Sequence, residues 1–148
     1  MSRLLGLDYG DKTIGVAVSD PFGVVALGVE TIWRDRENAV RKSVRRLGEL
    51  VDEYSVNTIV LGLPKNMNNT MGERAAKTLA FKEKYLQRFE GVEVVLWDER
   101  LSTVAAMRTL DKKDKKDKKD KKEKIDEMAA VFILQGYIDF LRNTNEEC

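Results

Sequence analysis

The chain has 148 residues, of which 43% are hydrophobic, and its 26 basic and 25 acidic side chains leave a formal net charge of +1. This composition predicts one globular domain over residues 1–148. A lone cysteine excludes an internal disulfide, and the absence of histidine disfavours zinc sites and histidine-based catalysis. No apolar run is long enough to span a bilayer, which predicts a cytoplasmic protein with no membrane partner. The remaining option for catalysis is carboxylate chemistry, which suits hard cations such as Mg²⁺ or Mn²⁺.

The first stretch predicts a β-hairpin with an acidic residue at its mouth. Residues 3–7 and 14–18 are short apolar runs, and the Gly-Asp-Lys-Thr sequence at 10–13 has the chemistry of a turn. Asp8 comes at the end of the first run. A carboxylate on a buried strand is costly unless it is paired or binds a cation. Asp8 is therefore a candidate cation ligand, or else a cap that accepts hydrogen bonds from nearby amides.

The elements that follow predict an α/β fold with a mixed five-stranded sheet. After a turn at 20–23, the pattern indicates a third antiparallel strand, and then helices alternate with apolar strands. In such sheets, sites form beyond the carboxyl ends of the parallel strands. The predicted ranges are a strand at 24–33, a helix at 36–54, a strand at 57–62, a helix at 74–89 and a strand at 92–97.

A second acidic corner follows the strand predicted at 92–97. Asp98 and Glu99 come where that strand stops, beside Arg100, and Ser102 is a candidate N-cap for a short helix through Leu110. The sequence alone does not decide which of the two carboxylates faces Asp8. In the competing interpretation these are solvated loop charges and a helix cap.

The most apolar helix is predicted to begin near Lys124 and to pack on the sheet. Asp126 precedes Ala129, Ala130 and Ile133 at helical spacing, beside small residues that let helix and sheet approach closely. It is either a third carboxylate near Asp8 or a first-turn acid that interacts with the helix dipole. The preceding tract, residues 111–124, has a net charge of +4 and is predicted to be a mobile, solvated loop that either binds phosphates or only links two elements.

Several motifs together carry a family resemblance over almost the whole chain. They are GLDYG at 6–10 with GVA at 15–17, VLGLP at 60–64, DERLST at 98–103, and Asp126 followed by AA at 129–130 and ILQGY at 133–137. In this order and at these spacings they resemble the YqgF family of pre-16S rRNA nucleases, also called Holliday-junction-resolvase-like proteins.

The resemblance implies an RNase H-like fold and a cytoplasmic nuclease that acts in 5′-end maturation of 16S rRNA precursors. It also implies that Asp8, the pair Asp98/Glu99 and Asp126 are the catalytic, metal-binding carboxylates. Related resolvases place a carboxylate where this chain has residues 60–64, so Asp98 or Glu99 would supply the second ligand. Of the two, Glu99 has the longer side chain and is preferred.

This chemistry needs two divalent ions and no histidine, because carboxylate-bridged Mg²⁺ or Mn²⁺ ions activate water and stabilise the leaving oxygen of a phosphodiester. Lys12, Lys65 and Arg100 are candidate phosphate ligands at the same edge, and Asn66 is a candidate contact to sugar or base. In the competing interpretation, each of these four is an ordinary surface residue without a role in binding.

The candidate partners are nucleic acids: pre-rRNA, on its own or in ribosomal precursor particles, or branched DNA. Three alternatives remain: a Holliday-junction resolvase, a non-catalytic RNA-binding or ribosome-assembly factor, and a phosphotransferase of the actin-like ATPase type. The last requires two such domains closing over a nucleotide, whereas this chain has the length of one.

Overall fold

The structure is a computed structural model that describes residues 3–36, 39–65, 71–101 and 118–146. Within the last range, the side chains of residues 127–144 are described. The predicted helix at 102–110 and the first part of the basic tract, residues 111–117, lie outside these ranges.

A five-stranded mixed sheet forms the centre of the fold, as predicted. Its spatial order is β3-β2-β1-β4-β5, so β1 is the middle strand. β1 pairs antiparallel with β2 and parallel with β4, and β4 pairs parallel with β5. The strands are β1 Arg3–Tyr9, β2 Thr13–Ser19, β3 Ala26–Trp33, β4 Val56–Leu63 and β5 Glu93–Asp98.

Helices cover both faces of the sheet because the interior strands are apolar on both sides. On one face, α1 (Arg41–Glu53) and α2 (Glu73–Lys84) close a core that contains Leu7, Leu47 and Phe81. On the other face, α3 (Lys118–Glu146) packs through Ala130 and Ile133 onto a second core. No helix of the described ranges is long and apolar enough to cross a membrane.

Gly6 on β1 lets α3 approach the sheet at backbone distance. A Cβ at Gly6 would lie 2.7 Å from the Cβ of Leu134 and 2.9 Å from the carbonyl oxygen of Ala130. Because neighbouring residues of a strand point to opposite faces, Gly6 and Asp8 share the α3 face, whereas Leu7 and Tyr9 face α1 and α2. The small residues predicted near Asp126 therefore do mark a close contact between helix and sheet.

Two elements begin later than predicted because side chains hold the preceding backbone in turns. β3 begins at Ala26 rather than residue 24, since the amides of Val24 and Val25 donate to the carboxylate of Asp20. α1 begins at Arg41 rather than Arg36. Arg34 is tied to the first hairpin, where its amide donates to the carbonyl of Lys12, so the chain cannot yet enter a helix.

The other two helices also differ from prediction at one end each. α2 ends at Lys84, and a short 3₁₀ turn at Leu86–Arg88 replaces its expected last turn, which places Leu86 fully in the core. α3 begins at Lys118, six residues before the predicted start, so residues 118–124 of the predicted loop are helical. In that tract each Asp has a Lys four residues later, a spacing that stabilises helix, and the packed part of α3 supplies the nucleus.

Candidate functional site

Asp8 occupies a gap between two glycines at the carboxyl end of β1. It pairs with Gly15 on β2, and because Leu7 pairs with Leu61, it lies beside Gly62 on β4. Its side chain points to the α3 face and is only 2% exposed. Asp8 has at least one interaction partner in the structure. A buried acid between two residues without side chains has room beside it for a second polar group.

Glu99 fills part of that room. It lies in the short 3₁₀ turn Glu99–Leu101 that follows β5, and it is only 4% exposed. A Cβ at Gly62 would lie 2.9 Å from Glu99 Oε1, so this carboxylate lies directly over the backbone of β4. Adjacent strands are about 4.8 Å apart. Asp8 and Glu99 therefore approach one another across a single strand spacing on the same face of the sheet.

Asp98 turns away from this pair and binds Arg100. The backbone amide and Nε of Arg100 each donate to Asp98 Oδ1 at 3.0 Å, and Arg100 Nη2 forms an ion pair with Oδ2. These bonds hold the pKa of the Asp98 carboxyl below its ordinary value of 3.8, with a smaller contribution from the charge of Lys65. Asp98 is therefore a structural partner of Arg100, and Glu99 is the acid that enters the site.

This ion pair predicts a pH-dependent contribution to stability. Because folding lowers the pKa of Asp98, its contribution is present above pH 3.8 and is lost as the pH falls through the lower folded value. Asp98→Asn should reduce the free energy of unfolding by up to about 1 kcal/mol at neutral pH, since the pair is partly exposed. Urea titrations of both proteins check this, and a difference that does not narrow in acid would contradict it.

Two of the other predicted residues are lysines that follow β1 and β4 in the chain. Lys12 is exposed in the hairpin turn, and Lys65 is half-buried two residues beyond the end of β4. Arg100 is engaged by Asp98. Asn66 lies outside the described residues. Asp126 lies within α3, one turn before Ala130, and its side chain is outside those described.

Carboxylates of the described part of the chain do not complete a metal cage. No group of three or more Asp, Glu, His or Cys side chains in those ranges is arranged to hold an ion. Asp8 and Glu99 nevertheless suit a hard divalent cation in their chemistry, because both supply carboxylate oxygens from buried positions on the same face of the sheet. A third ligand would have to come from outside the described side chains.

A column of stacked side chains, which sequence reasoning missed, fixes the backbone beyond Asp8. The guanidinium of Arg34 lies 4.8 Å from the centre of the Tyr9 ring, and that ring stacks on Phe81 at 4.2 Å. Arg34 Nη2 donates to the carbonyls of Gly10 and Asp11. These residues are far apart in sequence, so no local pattern revealed the contact. The column holds the turn that follows Asp8 against α2.

The sequence matches the model of a known protein family over most of its length. Residues 2–140 match the family model RuvX, which is described as a Holliday junction resolvase. The chain belongs to the RuvX family. The resemblance drawn from the sequence motifs is therefore confirmed, and it extends over all five strands and most of α3.

Similar proteins include two that carry the name "Putative pre-16S rRNA nuclease". The protein of Agathobacter rectalis is 51% identical over 96% of this chain and 98% of its own length. That of Acetivibrio thermocellus is 50% identical over 93% and 95%. Among solved structures, Thermus thermophilus RuvC in complex with a Holliday junction has a TM-score of 0.56 at 12% identity, covering 95% of this chain and 96% of RuvC. This likeness confirms the RNase H-like fold.

Proposed function

We propose that this RuvX-family protein is a metal-dependent nuclease that processes the 5′ end of pre-16S rRNA. The observation that carries the proposal is that two buried carboxylates lie on one face of the sheet, Asp8 beside Gly62 and Glu99 over it. Relatives with about half of their residues in common are named for this activity. The substrate is pre-rRNA, free or within ribosomal precursor particles.

The donor set favours Mg²⁺ or Mn²⁺, since it consists of hard oxygens without histidine or cysteine. When bound, two such ions supply Lewis-acid stabilisation of the phosphate and an activated water. Asp8 and Glu99 would hold the ions, and Asp126 is the proposed further ligand from α3. Because Asp8 and Glu99 are anchored on a strand and a short 3₁₀ turn beside it, they need little rearrangement to bind.

The remaining predicted residues have supporting roles in this proposal. Lys65 follows β4 at the same edge and would neutralise a phosphate oxygen, as would Lys12 from the hairpin turn. Asn66 would contact a sugar or base. Arg100 is directed to Asp98 in the structure, so binding phosphate would require it to exchange or share that partner.

Branched DNA is the second candidate substrate, because the family model itself is described as a Holliday junction resolvase. Purified protein should be incubated with an RNA that carries the 5′ extension of pre-16S rRNA and, separately, with a four-way DNA junction. Each reaction is run with Mg²⁺, with Mn²⁺ and with EDTA. We expect metal-dependent cleavage of the RNA. Cleavage of the junction alone would assign the resolvase function, and binding without cleavage would assign an assembly factor.

A ranking of two neighbouring acids tests the site itself. Glu99→Gln should reduce cleavage more than Asp98→Asn does, because Glu99 enters the acid pair whereas Asp98 binds Arg100. We expect a loss of at least about 100-fold for Glu99→Gln, since even partners behind a metal ligand contribute 10- to 100-fold. Turnover at saturating substrate is the measurement. The reverse ranking would transfer the ligand role to Asp98.

A further inference from the structure

A long groove lies on the face of the sheet opposite to Asp8. It consists of two adjoining cavities of about 450 and 590 Å³, which share Val40 and Tyr85. One is bordered by α2 and the other by the segment between β3 and α1. Because Tyr9 lines the first cavity and directly follows Asp8, the groove begins at the same end of β1 as the acid pair.

Basic side chains dominate this groove. Its lining contains six basic residues and one acidic residue, although the whole chain has a net charge of only +1. Lys77 is already paired with Asp11 and Glu73. Lys42 and Lys84 are exposed and form no ion pair with other residues of the described ranges. The basic residues are Arg34, Arg36, Arg41, Lys42, Lys77 and Lys84, and the acid is Asp35.

Aromatic rings line the same two cavities as these cations. Phe81 and Tyr85 lie 5.8 Å apart, ring centre to ring centre, and Lys84 Nζ is 5.4 Å from the centre of the Tyr85 ring. Trp33 lines the second cavity and is 39% exposed, so part of its ring is accessible to solvent. Rings that offer a face, interleaved with lysines that meet phosphates, are the features by which proteins hold a single strand of nucleic acid.

We propose that this groove binds a single-stranded segment of the nucleic acid substrate, next to the phosphodiester that is cut. The inference rests on the proposed nuclease function, because it assigns the groove to the strand that flanks the cleavage site. Bases stack on Tyr85 and Trp33, and Lys42 and Lys84 neutralise phosphates. None of these contacts reads a base edge, so the groove favours unpaired strands over duplex without a preference for sequence.

Binding is measured by fluorescence anisotropy with a labelled single-stranded RNA in EDTA, so that no cleavage occurs. Trp33→Leu and Tyr85→Leu keep an apolar side chain but remove the stacking face, and each should weaken binding about 5- to 100-fold. Trp33 is the more exposed of the two, so its variant tests the groove even if Tyr85→Leu unfolds. Unchanged affinity in a folded Trp33→Leu variant would overturn the proposal.

Two lysines in the last turn of α2 provide a test residue and a control for the phosphate contacts. Lys84 lines the groove, whereas Lys82, two residues away on the helix, does not. Lys84→Gln should lower the slope of log K against log[salt] by about 0.7, the value for one phosphate of a single strand, and Lys82→Gln should leave it unchanged. Equal slopes for the two variants would overturn the phosphate assignment.

Cleavage assays separate this inference from the proposed function. Trp33→Leu should raise KM for a substrate with a single-stranded flank, leave kcat unchanged and cleave a flankless substrate as the unmodified protein does. If the unmodified protein cleaves both substrates and the variant matches it on both, the proposed role of the groove is overturned and the nuclease function stands. If neither substrate is cut, the nuclease function fails, and the anisotropy titration still shows whether the groove binds a single strand.

A competition experiment identifies the kind of ligand that the groove binds. Displacement of bound RNA by an unrelated single-stranded DNA supports a site without sequence preference, whereas displacement by an acidic peptide alone would assign the groove to a protein partner.

Discussion

Asp8→Asn should abolish metal-dependent cleavage and leave the fold intact. The substitution keeps the shape of a side chain that is packed between Gly15 and Gly62, but it removes the charge that would hold a cation. We expect turnover to fall by at least about 100-fold, because a direct ligand should matter more than its supporting partners do. The free energy of unfolding should not decrease, since like charges at close range in a poorly solvated site repel one another.

Asp11→Asn is the matched control for this substitution. Asp11 is in the same hairpin but is exposed and interacts with Lys77 rather than with the acid pair. Its turnover should remain within about twofold of the unmodified protein, as expected for a surface substitution with little effect on stability. If Asp8→Asn cleaves as fast as the control, Asp8 is not a metal ligand, and the catalytic centre does not depend on it.

Gly62→Ala should damage both stability and cleavage through a single methyl group. The added Cβ would lie 2.4 Å from Ile133 Cδ1 and 2.9 Å from Glu99 Oε1, so both side chains must move. Overpacking of this kind costs about 1–3 kcal/mol. Because the displaced group is the Glu99 carboxylate, turnover should fall even where the variant is fully folded, as shown by comparing urea unfolding with cleavage below the transition.

Gly48→Ala is the corresponding control. Gly48 lies in the middle of α1, where a Cβ would only approach the ring of Phe89 at 3.4 Å, and Ala is the better helix former. It should leave turnover unchanged and stabilise the protein by up to about 1 kcal/mol. A Gly62→Ala variant that cleaves like Gly48→Ala would show that Glu99 need not lie over β4 for activity.

The order of strands and helices was predictable because apolar periodicity is a local property of the chain. Strands β1, β2, β4 and β5 and the packed face of α3 follow directly from it. The element ends were less predictable where a distant side chain decides them. Arg34 delays α1 by binding the hairpin, and no periodic pattern contains that information.

The residues of the candidate site could be proposed from the sequence, but their arrangement could not. The sequence pattern predicted that Asp8, Asp98 and Glu99 lie at strand ends, which is where sites form in this fold class. The separation of Asp98 from Glu99 depends on the ion pair with Arg100 and on the space over Gly62, and both need strand register. The preference for Glu99 as a ligand came from side-chain length alone and stays a prediction, although the Glu99 side chain lies over Gly62 and the Asp98 side chain pairs with Arg100.

The sequence position of α3 affects when activity can arise during synthesis. All five strands precede α3 in the chain, yet the sheet face that contains Asp8 is covered by residues 127–144 of this helix. A nascent chain still attached to the ribosome through these residues would expose Ala17 and Val60 to solvent instead of burying them. The nuclease centre would therefore form only after α3 has been synthesised and has packed on the sheet.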